Sequence, residues 1–119
     1  MGKEQFSSLG AVETATIANG ASLSGAIATN GLTPVRLQTP AGMEGTALTF
    51  QVSLDGVTYT NFYDQYGVEV NYTVAASYTV DLPASTWKYV RFFKIRTGTA
   101  GTPSAQTGAA AIGVQMEAI

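Results

Sequence analysis

The chain has no cysteine and no histidine, and only 12% of its 119 residues are charged. Without Cys it can form neither a disulfide nor a thiolate metal site. Without His or Cys, the paired nucleophile and base of Ser-His or Cys-His catalysis cannot be assembled. A net charge of -2 leaves no basic surplus, so the counterion release that drives nucleic-acid binding is missing. No run approaches the ~20 apolar residues of a membrane span. The opening stretch "MGKEQFSSLGAVETATIANG" lacks the apolar centre of a signal peptide. These absences fit a protein made in a reducing cytoplasm, with no membrane and no nucleic-acid partner expected.

Gly, Ala, Ser and Thr fill the places that Lys and Glu usually take. A weakly charged surface of small polar residues suits a protein packed against neighbours in an assembly. On composition alone a neutral extracellular β-domain fits equally well. A chain of 119 residues has the length of one domain, about 100–150 residues.

Helical periodicity is nearly absent, and period-two alternation recurs instead, the mark of strands with one buried face. Leu48, Phe50, Val52 and Leu54 alternate with Thr49, Gln51 and Ser53. Val68, Val70, Tyr72 and Val74 do the same with Glu69, Asn71 and Thr73, and Tyr78, Val80 and Leu82 with Thr79 and Asp81. Ile112, Val114 and Met116 repeat the pattern near the C-terminus. Asp55-Gly56 signals a hairpin, since primed turns need positive φ at their central residues. Asn19-Gly20, Asn30-Gly31 and Gly67 mark further turns, and Pro34, Pro40 and Pro83 sit where strands start or stop.

The spacing predicts eight or nine strands, at 12–18, 22–28, 33–39, 46–54, 57–63, 68–74, 77–82, 88–97 and 109–118. The expected fold is all-β: a single antiparallel β-sandwich, jelly-roll-like, over residues 11–119, preceded by a flexible N-terminal arm over residues 1–10. Leu48, Phe50, Val52, Val80, Ile112 and Val114 form its expected core. "YVRFFKIR" (Tyr89–Arg96) breaks the alternation. Either a β-bulge between Phe92 and Phe93 resets the register, or this strand is buried on both faces. The Gly/Ala/Thr/Ser-rich loop from Thr97 to Ala110 is long enough to be functional or mobile. Its backbone groups, and those of the arm, need partners in water or on another chain.

Among the carboxylates, Asp55 and Asp64 read as turn residues, and Glu69 and Asp81 fall on the polar faces of strands, so no hydrolase pair emerges. Asn61, Asp64 and Glu69 match no calcium-loop spacing. No cofactor and no metal is expected. Lys88, Arg91, Lys94 and Arg96 form a cation cluster that pairs with Glu69 or Asp81 across strands, or meets an acidic protein surface. The aromatics offer an interface or a sugar-stacking platform. Tyr63 and Tyr66, beside the Asp64–Gly67 turn, are the candidates for exposure. Trp87, Phe6 on the arm, and Thr99, Thr102 and Pro103 in the loop join them as interface candidates. Tyr63, Tyr66 and Trp87 are the rings that could stack on a sugar.

Taken together, "LTFQVSLDGVTYTNFYDQYGVEV", "LPASTWKYVRFFKIRTGTAGTPSAQT" and the alternating C-terminus resemble a family of small structural proteins of tailed bacteriophages. Its pattern is "LTFQxSxDGxTYxxLYDxxGxE", an aromatic-basic strand ending "K(L/I)RSGTxGTPVxQ", and a last strand. The resemblance covers residues 21–118 and departs at "SAQTGAAAIGVQM", where the family carries charged residues. It implies a β-sandwich in the virion, as a capsid decoration (cement) protein, head fibre or tail component. The expectation is a non-enzymatic decoration protein on the capsid surface, made in the host bacterial cytoplasm. Its partner would be the major capsid protein or another virion protein, and its own state a homo-oligomer, a trimer first. The alternative is a carbohydrate-binding or adhesin-like domain of a head fibre, tail fibre or baseplate, with a glycan as ligand.

Overall fold

The computed structural model describes residues 10–119. The expected arm over residues 1–9, with Phe6, lies outside the described residues. Gly10, assigned to the arm, is instead the first residue of a strand, opposite Glu117. In chain order the elements are β1 (Gly10–Ile17), β2 (Ile27–Ala28), β3 (Thr33–Gln38), β4 (Ala47–Ser53), β5 (Thr60–Asn61), β6 (Tyr72–Thr73) and β7 (Thr79–Asp81). A single helical turn, α1 (Ala84–Trp87), then leads to β8 (Phe92–Thr97) and β9 (Ala110–Glu117).

Two antiparallel sheets pack face to face as a β-sandwich. One has the order β1-β9-β3-β7, and the other runs β2-β8-β4-β5 with β6 also on β4. The chain passes from sheet to sheet at most connections, and the first and last strands lie side by side. Alternation decides the burial: Ile112, Val114 and Met116 on β9 are buried, as are Leu48 and Phe50 on β4. Val52 and Val80 are partly buried against this core. Pro34 sits beside a register shift between β3 and β9, where a missing N–H costs the ladder least.

Several expected strands are shorter than the alternation suggests. β2, β5 and β6 keep only two residues each, because their flanks turn away into bridges such as Leu23 with Arg96 and Tyr63 with Glu69. Leu54, Val68 and Tyr78, expected on inward faces, are exposed and lie outside the ladders of the named strands. Asp55-Gly56 does not form a two-residue hairpin. Val52 pairs with Thr60, leaving a six-residue loop between β4 and β5. Asp55 organises it by accepting bonds from the Val57 and Thr58 N–H groups and from the Ser53 hydroxyl. These bonds, the one from Thr58 foremost, lower its pKa from 3.8 to about 2. Gly56, at φ 81°, supplies the left-handed residue the loop needs.

The register of β8 with β4 is continuous from Phe92 to Thr97, so no bulge separates Phe92 from Phe93. Phe93 and Ile95 enter the core, while Arg96 on the opposite face is also buried. The two-face alternative therefore describes the far end of this strand.

Trp87 corrects a prediction outright. Expected as a contact residue, it has 0% exposure and forms the hub of the core. Its ring meets Phe50, Phe62 and Phe93 edge-on, at centroid distances of 4.8, 5.5 and 5.2 Å. Its indole N–H donates to the Tyr72 hydroxyl at 3.0 Å. The turn α1, begun at Pro83, delivers it there. Trp87→Ala should lower the unfolding free energy by about 3–5 kcal/mol, whereas Tyr66→Ala, on an exposed ring, should stay within about 0.5 kcal/mol of the parent. Urea unfolding of the two variants measures the contrast.

Candidate interaction surface

Arg96 is at the centre of the outer face of the second sheet. β8 lies between β2 and β4, and its pairing places Arg96 beside Thr49. The Arg96 Nε donates to Thr49 Oγ1 at 3.0 Å, Nη1 to Asn61 Oδ1 at 3.0 Å and Nη2 to Glu69 Oε2 at 3.1 Å. Side-chain exposure is 6% for Arg96 and 19% for Glu69, so this ion pair is largely removed from water. The same Glu69 oxygen accepts the Ala100 N–H at 3.0 Å, and Thr49 Oγ1 donates to the Gly98 carbonyl at 2.8 Å.

Two projecting turns are joined through this network. The first is a small hairpin closed by Val70 N–H to Phe62 O at 3.0 Å and Asp64 N–H to Val68 O at 2.8 Å. Asp64 Oδ1 accepts the N–H groups of Tyr66 and Val68 at its tip, as expected of a turn residue. Phe62 anchors the hairpin on Trp87, and Tyr63, Tyr66 and Val68 face solvent, Tyr66 with 81% exposure. The second turn runs from Gly98 to Pro103, which form a bridge. Thr99 and Thr102 exchange backbone bonds at 3.1 and 3.2 Å. A Cβ on Gly98 would meet the backbone of Thr102 and Ser104, so this close approach requires glycine.

The rest of the long loop is also tied down within the chain, which corrects the expectation that its partners lie in water or on a neighbour. Gln106 has 1% exposure; it donates to the Glu44 carbonyl at 2.7 Å and accepts the Glu44 N–H at 3.0 Å. Its backbone bonds Gly20 and Ala21. The Glu44 carboxylate accepts the Thr107 N–H and hydroxyl, and these bonds lower its pKa, the backbone one most.

The structure thus brings Tyr63, Tyr66, Thr99, Thr102 and Pro103 to two turns that share Glu69. Thr99 is half-buried, and Thr102 and Pro103 are exposed. Trp87 is removed from this surface and Val68, not anticipated, is added. The expected pairing of Arg96 with Glu69 is present, but Asp81 pairs with Arg36, at 3.2 Å. Lys94 stands over the Tyr59 ring at 4.5 Å. Asn61 and Glu69 are held by a guanidinium. The arrangement holds the exposed Tyr63, Tyr66, Thr102 and Pro103 on two turns tied to each other through Glu69.

Removing one member of a buried ion pair strands the other charge. Arg96→Met should cost about 3–5 kcal/mol, and adding Glu69→Met should recover most of that loss. A double-mutant cycle in urea measures both. Equal, additive losses would show that the two side chains act separately.

Compared with known proteins, the chain matches no family model, no curated protein and no solved structure.

Proposed function

We propose that the chain is a non-enzymatic structural protein of a tailed-phage virion, a decoration protein that binds the outer capsid lattice as a homo-oligomer, with a trimer the first expectation. The observation that carries this reading is the pair of projecting turns, 62–70 and 98–103, locked together by Arg96 and Glu69. Both turns belong to the segments that resemble the phage family. A contact surface held rigid in the free protein loses little conformational entropy on docking. Many such weak sites on a repeating lattice add by avidity.

The strand orders β1-β9-β3-β7 and β2-β8-β4-β5 support reading the sandwich as a jelly roll, an architecture found in viral capsid proteins. The sparse charge and the lack of His and Cys agree with a structural role. The carbohydrate-binding alternative is weaker, since burial of Trp87 takes away one of the three rings proposed to stack on sugars.

Co-sedimentation with purified empty capsids of the encoding phage tests the proposal. The parent protein should pellet with the shells, and Tyr66→Ser should weaken binding by about tenfold or more, as an interface aromatic does. No pelleting, together with saturable binding on a glycan array, would replace this reading with the carbohydrate-binding one.

A further inference from the structure

A second surface lies at one end of the sandwich. Ala28 at the end of β2 and Ser53 at the end of β4 both sit opposite Phe92 at the start of β8. Thr33, which opens β3, sits opposite Glu117 near the C-terminus. The register therefore gathers the 29–33 turn, the 54–59 loop, the Lys88–Arg91 stretch and Ile119 at the same end. Leu54, Val57, Tyr89 and Ile119 are exposed here by 91, 81, 86 and 62%. Tyr89 and Ile119 border one concavity at this end, and exposed apolar groups gathered at a polar-rimmed surface mark interaction sites.

The backbone beneath them is fixed. Thr29, with 2% exposure, donates its hydroxyl to the Val90 carbonyl at 2.8 Å and its N–H to the Arg91 carbonyl at 2.9 Å. The Thr33 hydroxyl bonds the Lys88 carbonyl at 3.4 Å. Asn30 and Gly31, at φ 52° and 86°, close the turn that faces this stretch. With its carbonyls held inward, the stretch borders an open concavity of about 520 Å³ lined by Lys88, Tyr89, Arg91 and Ile119. The ion pairs formed among the described residues are Arg36 with Asp81 and Arg96 with Glu69. Lys88 and Arg91 have no carboxylate partner among those residues.

The geometry points to a docking site for an acidic protein surface, with apolar side chains at its centre and Asp or Glu at its rim. Tyr and Arg on a rigid backbone are the residue types that dominate protein interfaces. Two cations fall short of the clusters of about four to eight Lys or Arg that hold a protein on an anionic membrane. The site is separate from the 62–70 and 98–103 turns, and its chemistry does not depend on the virion reading.

Amide-resolved NMR titration of the full chain tests it, using a synthetic peptide that carries Glu and Asp around a Leu-Phe pair. Saturable shifts should be confined to residues 29–33, 54–57, 88–92 and 118–119. Lys88→Glu with Arg91→Glu should weaken binding about tenfold, and added salt should weaken it further. Arg36→Glu, on the other sheet, should not change it. Shifts spread over the whole surface, or equal losses in the Arg36 and Lys88/Arg91 variants, would overturn the site. So would phosphatidylserine vesicles engaging this end where the peptide does not. All these side chains are exposed, so the variants should keep the parent spectrum elsewhere. The titration needs no phage particle, and its failure would count against this surface alone.

Discussion

The Arg96 guanidinium is the constraint on which the outer face depends. It lies on a central strand where a solvated sheet face would ordinarily be open to water, yet it is almost wholly covered. A cation taken out of water costs several kcal/mol unless its donors are met. Arg96 meets that demand with one partner each from β4, β5 and the 62–70 hairpin. Glu69 then has a second oxygen-bound partner in Ala100, so desolvation of one charge orders two turns. The fold accepts the expense of a buried ion pair and gains a defined arrangement of segments that would otherwise fray.

Core and surface meet in the same hairpin. Phe62 is fastened to Trp87 from inside, while Glu69, across from Tyr63, is fastened to Arg96 from outside. Tyr63 and Tyr66 are therefore held on a hairpin fastened to the core on one side and to the outer face of the sheet on the other. The three phenylalanine rings around Trp87 give the hairpin its base in the core.

The sandwich was legible because alternation is a physical consequence of one-sided burial, and the apolar positions of β4 and β9 carry it in the sequence. The short strands were not, because β5 and β6 stop where the chain leaves β4 to build a hairpin. That departure leaves no mark in a two-residue period. Trp87 was misplaced because four residues are too few to show a helical repeat, and Pro83 reads as a strand stop as readily as a helix start. The Arg96–Glu69 pairing was visible as a charge match across strands. Its burial was not, since that depends on the 98–103 turn folding back across the sheet. The expectation of an unanchored loop failed on Gln106, whose amide satisfies both backbone groups of Glu44, a contact between residues 62 apart in sequence.

The proposed function places this sandwich in a virion with turns 62–70 and 98–103 against the capsid. Cryo-microscopy of the intact particle tests it most directly. The account predicts density for the chain on the outer capsid lattice, with turns 62–70 and 98–103 against the major capsid protein. Density confined to the tail tip, or both turns facing solvent in every copy, would contradict it.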